Sequence, residues 1–281
     1  MPNGCLTEAA CRHGIMATMS SQTGGFLASG FIPMAHRGGS LLTKNLGIEN
    51  TLSAFENAVA LGYSHLETDV HATGDGELVA FHDPDLGRVT DTPGLIAELS
   101  FREVRSVLVG GHERIPTLDE LLETFPEARF NIDLKAPGAV PLLARAISRH
   151  NAGARVCVGS FSGSRLRSFR RLMPRVATAA TTSEVLLMSV GRVSRRAPGV
   201  DVVFQVPISH ARGPVTVQLV TPKTVAAVHA ADRKIHVWTI DDKDTMHRLI
   251  DLGVDGIITD RPDLLKGVLH TRGMWSTQQG T

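Results

Sequence analysis

Two runs of the sequence carry charged side chains where a buried strand would be apolar. Glu67 and Asp69 stand two apart in His65–Val70, and Asn131, Asp133 and Lys135 alternate along Arg129–Leu134 and the residue after it. The period of two puts each set on one strand face. Carboxylates that share a face repel unless something positive lies between them. With Asp133 converging from a second strand, the economical candidate is a hard divalent cation, Mg2+ or Ca2+, bound by oxygen; zinc more often takes His or Cys. His36 (with Arg37 after it) and His82 (with Asp83 after it) each follow a predicted strand. Histidine exchanges protons near neutral pH. Two of them flanking a metal-bound phosphodiester would supply a base for the nucleophile and an acid for the leaving alcohol. Arg37 and Lys135 would bind the non-bridging phosphate oxygens, the first by paired hydrogen bonds and the second as a point charge. Trp238, with Phe81 and Phe204, could wall such a pocket, although large aromatics more often serve as core.

These residues need elements that bring them together. Short apolar runs at Phe31–Ala35, His65–Val70, Leu78–Phe81, Arg129–Leu134, Val156–Gly159, Arg175–Ala179, Val202–Val206, Ile235–Ile240 and Gly256–Ile258 read as strands. Helical patterns alternate with them at Thr51–Leu61, Thr117–Phe125, Val140–His150, Arg165–Leu172, Ser183–Val190, Lys223–Ala231, Lys243–Leu252 and Asp263–Leu269. Thr117 and Glu120 have the spacing of a capping box, and Gly74-Asp75-Gly76 suits a hairpin turn. Sustained strand–helix alternation predicts a parallel sheet, and about eight main strands favour a closed (β/α)8 TIM barrel over an open sheet. There is no GxGxxG after the first strand to support a dinucleotide site. The ends of barrel strands converge on one mouth, which is where the polar residues fall. Residues 84–116 do not fit the repeat and are expected to form a small insertion after the second strand region. By parity His65 and His71 share the face of Glu67; packing is the simpler role for the first and a substrate contact is conceivable for the second. Gln205, ending the sixth strand, is placed to line the mouth.

Composition narrows the function classes. The chain has 281 residues, with 29 Lys plus Arg against 28 Asp plus Glu. Such a balance gives no general basic field for nucleic acid or an anionic membrane, so an anionic small molecule must be captured by a local site. Cys5, Cys11 and Cys157 make neither a disulfide framework nor a paired zinc motif; Cys157 sits in an apolar run as a small core residue. No stretch reaches the length of a transmembrane helix. The first thirty residues lack the compact apolar core of a secretory signal. They read as a disordered lead-in or an over-called translation start, with Met16 or Met19 as the beginning. The barrel is expected over 31–270 and a tail over 271–281, in a cytoplasmic protein.

The motifs together resemble a known family. His36-Arg37-Gly38, Glu49-Asn50-Thr51, Glu67-Thr68-Asp69-Val70, His82-Asp83, Asn131-Ile132-Asp133-Leu134-Lys135 and Trp238-Thr239 occur in the order found in glycerophosphodiester phosphodiesterases, over about Met34 to Pro262. Each fragment is weak alone, whereas the ordered set is highly specific. The resemblance implies a TIM barrel with a small insertion after the second strand, and hydrolysis of glycerophosphodiesters to sn-glycerol 3-phosphate and an alcohol. It implies His36 and His82 as the acid/base pair, Glu67 and Asp69 as metal ligands, and Glu49 as an acid near the metal, bound directly or through substrate hydroxyls. Asp133 stands where many members have Glu, so its contact with the metal is direct or through water. The loop Gly38–Ile48 is longer than usual and lacks the common Pro before Glu49.

A lysophospholipase D or sphingomyelinase D-like activity resembles this chemistry on the same barrel. An apolar mouth around the insertion would favour it, and a narrow polar mouth would favour deacylated substrates. A catalytically silent barrel used for binding predicts loss of a histidine or an acid, and none is missing.

Overall fold

The computed structural model describes residues 25–27, 30–195, 201–212 and 215–275. Its first half runs β1 (Ile32–His36), α1 (Leu52–Ala60), β2 (His65–Ala72), β3 (Leu78–Ala80), α2 (Phe101–Ser106), β4 (Leu108–Val109), β5 (Glu113–Arg114), α3 (Leu118–Thr124), β6 (Arg129–Leu134), α4 (Ala139–Arg149) and β7 (Val156–Gly159). It continues with α5 (Gly163–Leu172), β8 (Ala177–Ala179), α6 (Thr182–Ser189), β9 (Val202–Val206), β10 (Ser209–Arg212), β11 (Val215–Gln218), α7 (Pro222–Ala230), β12 (Lys234–Val237), α8 (Lys243–Leu252), β13 (Gly256–Thr259) and α9 (Pro262–Thr271). The parallel strands pair in the order β1, β2, β6, β7, β8, β9, β12, β13, and β13 closes back onto β1. The expected (β/α)8 TIM barrel is borne out. Strand β3 is added antiparallel to the end of β2, across the Gly74–Gly76 turn.

Local signals set most boundaries. Thr117 caps α3, its side chain accepting from the Glu120 N–H while Glu120 reaches back, as the spacing predicts. Thr181 and Glu184 do the same for α6. Outward-facing strand residues pack under the helices. Leu66, Val70, Phe130, Ile132, Leu134 and Val158 meet Phe55, Leu118, Leu143 and Leu166 in one half. Phe204, Val206, Ile235, Val237 and Ile257 meet Val228, Met246 and Leu265 in the other. Inside the barrel, Ile32, Met34, Cys157, Val203 and Ile258 form a separate apolar layer below the polar mouth.

Several details go beyond the expectations. The expected lead-in over 1–30 lies outside the described residues except for 25–27 and 30. There Phe26, 2% exposed, packs with the apolar layer inside the barrel and edge-on to His65. Burying such a ring contributes about 1.5–3 kcal/mol, enough to order its backbone. Helix α9 runs through Thr271, and Trp275, in the expected tail, packs against Tyr63 at 5.2 Å; residues 276–281 lie outside the described set. Strand β12 ends at Val237, so Trp238 stands in the loop beyond it. The β10–β11 hairpin is not among the expected strands. Residues 84–116 contain α2, β4 and β5, and their Leu86, Ile96, Val104, Val109 and Ile115 enclose a small core with Val79 and Phe81. Among the described residues, no helix is long and apolar enough to cross a membrane.

Candidate active site

Strand register sets the site. Parallel pairing aligns His36 with Glu67, Glu67 with Asn131, and Asp69 with Asp133. Ala35 aligns with Thr259, which brings the next residues, His36 and Asp260, together at the strand ends. The loop from Gly38 to Ile48 folds back onto the barrel rather than standing away from it. Asn45, fully buried, donates to the carbonyls of Gly38, Gly39 and Ala54 at 2.9, 3.2 and 3.2 Å. At Gly38 (φ +85°) a Cβ would lie 2.8 Å from the backbone of Ala54, so this close approach requires glycine. The loop returns through Asn50, whose N–H donates to the Arg37 carbonyl at 3.0 Å, and this places Glu49 at the mouth.

Each histidine has one ring nitrogen held by a carboxylate. His36 Nδ1 donates to Asp260 Oδ1 at 2.8 Å, and its Nε2 lies 3.7 Å from Glu67 Oε2. Asp260 is held in turn by the Ser40 hydroxyl at 2.6 Å, and its N–H donates to Asp241 at 2.7 Å. His82 Nδ1 donates to Asp83 Oδ1 at 2.6 Å. Burial alone would lower the His36 pKa, but the Glu67 and Asp260 carboxylates outweigh it and hold it above the ordinary 6.5. Burial, aided by Lys135 and Arg37, holds His82 below 6.5 against the pull of Asp69 and Asp83.

Between the histidines lies a chain of alternating charge. Arg37 Nη1 donates to Glu49 Oε1 at 3.0 Å. Its Nε stands 3.2 Å from Asp69 Oδ2, at an angle that makes an ion pair but no hydrogen bond. Lys135 Nζ bridges Asp69 Oδ1 at 2.8 Å and Asp133 Oδ2 at 2.7 Å. Asn50 fastens the same carboxylate, donating to Asp69 Oδ2 at 3.1 Å and accepting from Thr68 at 2.8 Å. Lys135 and Arg37 therefore supply positive charge at Asp69, and its pKa is lowered despite burial. Glu67 faces His36, with no lysine or arginine on its carboxylate among the described residues: it accepts from the Arg37 N–H at 3.2 Å, and burial with the Asp69 charge pushes its pKa up.

The donors fit a hard cation in kind. Every candidate is a carboxylate, the surroundings of Glu67 resist its negative charge, and Asp133 Oδ1 is buried without a hydrogen-bond partner among the described residues. Among the described residues no three acids, histidines or cysteines are gathered tightly enough to hold a metal. Lys135 occupies Asp69 and Asp133, and Arg37 and Arg88 occupy Glu49. At the rim, Trp238 meets Phe161 edge-to-face at 5.7 Å, and Lys135 Nζ lies 5.6 Å from the Phe161 ring centre.

Residues 36–264 match the sequence model of the Glycerophosphoryl diester phosphodiesterase family. The chain belongs to this family. It is 42% identical over 254 residues to the probable glycerophosphodiester phosphodiesterase 2 of Mycobacterium tuberculosis, covering 88% of this chain and 93% of the relative. A human lysophospholipase D is 26% identical over 276 residues, covering 84% and 85% of the two chains. A phosphodiesterase of Oleispira antarctica, solved with the product sn-glycerol-3-phosphate, has the same fold at TM-score 0.70 and 23% identity, covering 86% and 97%. The protein is thus an enzyme, a phosphoric diester hydrolase of the glycerophosphodiester type.

On this glycerophosphodiester phosphodiesterase the barrel brings His36, Arg37, Glu49, Glu67, Asp69, Asp133 and Lys135 into one connected network. His82 stands at the same mouth; burial, Asp69, Lys135 and Arg37 all act on its proton affinity. The positive charge expected between the carboxylates is supplied, at Asp69, by lysine and arginine. His65 serves packing: its Nε2 donates to the Phe26 carbonyl at 3.2 Å, below the mouth. His71 donates to the His82 carbonyl at 3.1 Å, supporting the backbone of that residue. Gln205 donates to Asn131 at 2.9 Å. Sequence reasoning missed Asp260, Ser40, Arg88 and Phe161. Asp260 lies 224 positions from His36, and its only local signal is its place just after the last strand.

Proposed function

We propose that the enzyme hydrolyses glycerophosphodiesters to sn-glycerol 3-phosphate and an alcohol in a divalent-metal-dependent reaction, with His36 and His82 moving the protons. One observation carries this reading: two histidines at one barrel mouth each have Nδ1 held by a carboxylate, which leaves Nε2 for proton transfer. Arg37 and Lys135 bind the non-bridging phosphate oxygens, and Trp238 walls the side of the leaving alcohol. Glu67 and Asp69 would hold the metal, Mg2+ or Ca2+, and Asp133 and Glu49 would complete its set of oxygen donors. When bound, such a cation neutralises phosphate charge as a Lewis acid. The nucleophile, water or the vicinal glycerol hydroxyl, loses its proton to one histidine as its oxygen bonds to phosphorus. The phosphorus–oxygen bond to the alcohol breaks, and the other histidine protonates the departing oxygen; where the glycerol hydroxyl attacks, the product is a cyclic phosphate, which water then opens to sn-glycerol 3-phosphate with the two histidines exchanging roles. Around these residues, His36 favours its proton and His82 gives its proton up, which is the unequal pair that acid–base catalysis requires.

A second reading, action on lysolipid diesters, is favoured by Phe161, which exposes 68% of its surface at the rim beside Trp238. One experiment addresses both. Hydrolysis of glycerophosphocholine, glycerophosphoethanolamine and a lysophospholipid is followed with Mg2+, Ca2+ or EDTA. Turnover of the deacylated diesters, abolished by EDTA, is the expected result; turnover of the lysolipid alone selects the second reading. Full activity in EDTA would remove the metal from the reaction, and no turnover of any diester under any metal would overturn the substrate assignment.

A further inference from the structure

Arg88 belongs to the insertion, not to the barrel, yet it reaches two acids of the mouth. Its Nη2 and Nη1 donate to Glu49 Oε1 and Oε2 at 2.6 and 3.0 Å, and its Nε donates to Asp83 Oδ2. The other oxygen of Asp83 accepts from His82 Nδ1, and Glu49 Oε1 also accepts from Arg37. All three guanidinium nitrogens are thus used to join the carboxylate that orients His82 to the acid that pairs with Arg37. A planar fork can bridge two carboxylates in this way, whereas an ammonium is a single point of charge.

The backbone that carries Arg88 is built to hold it there. Arg88 ends a short 3-10 turn, Leu86–Arg88, in which Asp85 accepts from the Gly87 N–H at 2.8 Å and the Gly94 N–H at 3.1 Å. Leu86 is fully buried against Val79, Phe81 and Ile96, and its N–H donates to the Gly94 carbonyl at 3.0 Å. Ile96 N–H donates to the Pro84 carbonyl at 3.0 Å, closing the loop on itself. The hydrophobic core of the insertion thereby presents one arginine to the mouth at a fixed place.

We infer that Arg88 is a positioning residue of the hydrolysis, clamping Asp83 and Glu49 so that His82 Nε2 faces the substrate. The inference rests on the proposed roles of His82 and Glu49. It is tested on the full-length enzyme with its most active diester and metal. In Arg88→Ala, kcat is expected to fall by about 10–100-fold, the usual loss when the partner of a functional side chain is removed. KM should stay within about threefold of wild type, because Arg88 acts through other residues and not on substrate. Added guanidinium ion at millimolar concentration should restore a measurable part of kcat, and Arg88→Lys should remain as impaired as Arg88→Ala. Wild-type kcat in the alanine variant overturns the inference, as does a loss confined to KM, which would make Arg88 a substrate contact. A lowered kcat that guanidinium leaves unchanged, in a variant melting like wild type, assigns Arg88 no positioning role. If Arg88→Ala fails to fold, Arg88→Lys carries the test: kcat near wild type then overturns it. Inactivity of the wild-type enzyme on every diester would instead be failure of the functional reading and is read in the same assay.

Discussion

At the scale of single residues, the site is a problem in unequal proton affinity. His36 sits between two carboxylates that outweigh its burial, while burial, aided by Lys135 and Arg37, prevails at His82. Removing either proton carrier should lower kcat about 10²–10⁴-fold with the fold intact; His36→Ala and His82→Ala, each assayed beside its circular dichroism spectrum, check this. Near wild-type turnover in either variant removes that histidine from the mechanism. Asp260 gives a signed test. Its carboxylate raises the His36 pKa, so Asp260→Asn lowers it and His36 deprotonates at lower pH. If protonated His36 is the working form, the alkaline limb of the kcat/KM profile moves toward acid. An unmoved limb would show that the proton lost there is not on His36.

At the scale of elements, the long loop after β1 depends on one buried amide. Asn45 satisfies three carbonyls with its side-chain N–H groups, and its own oxygen accepts from Asn57 at 2.8 Å. Asn45→Ala leaves these groups buried without their partner. At about 1–3 kcal/mol per unsatisfied group, partly relieved by relaxation, the expected loss is about 3 kcal/mol in urea unfolding. Because the loop also places Glu49, activity should fall in the same variant under conditions where it remains folded. A variant as stable as wild type would mean that water replaces the amide. Element boundaries were mostly legible beforehand: Arg129–Leu134, Val156–Gly159, Val202–Val206 and Lys243–Leu252 match their predicted ranges. The predicted strand Ile235–Ile240 runs past the end of β12 because its apolar run continues to Ile240, which lies in the following loop and is buried in the core with Val237, Met246 and Ile257.

At the scale of the whole molecule, closing the barrel buries polar groups that the mouth does not use. His236 is fully buried, with both ring nitrogens unpartnered among the described residues, facing Gly256, whose missing side chain leaves room for the ring. Burial pushes its pKa down to about 3, and burial pushes that of His65 to about 4, both from 6.5. The folded state holds these rings neutral, so the unfolded chain binds more protons below pH 6.5. Stability is therefore full above that pH and is lost as pH falls toward 4 and then 3. Between pH 7 and pH 5 each ring should cost about 2 kcal/mol of unfolding free energy. Denaturant unfolding at both pH values, in wild type and in His236→Leu, measures this: the variant should show the shallower dependence, and equal slopes would place the acid sensitivity elsewhere.

The sequence by itself determined the alternation of strands and helices, the caps, and the presence of two histidines, three strand acids and two cations at strand ends. These follow from local periodicity and from side-chain chemistry, which need no long-range contact. The ordered motifs also led to the correct family. What only the tertiary structure decided are the pairings: Asp260 with His36, Arg88 with Asp83 and Glu49, Lys135 between Asp69 and Asp133, and Phe26 inside the barrel. The reason is physical. A carboxylate on a strand face attracts any cation that closure of the barrel brings near, and the choice among lysine, arginine and metal depends on register and distance between residues far apart in the chain. Periodicity reports which face a side chain occupies; it carries no information on what stands opposite.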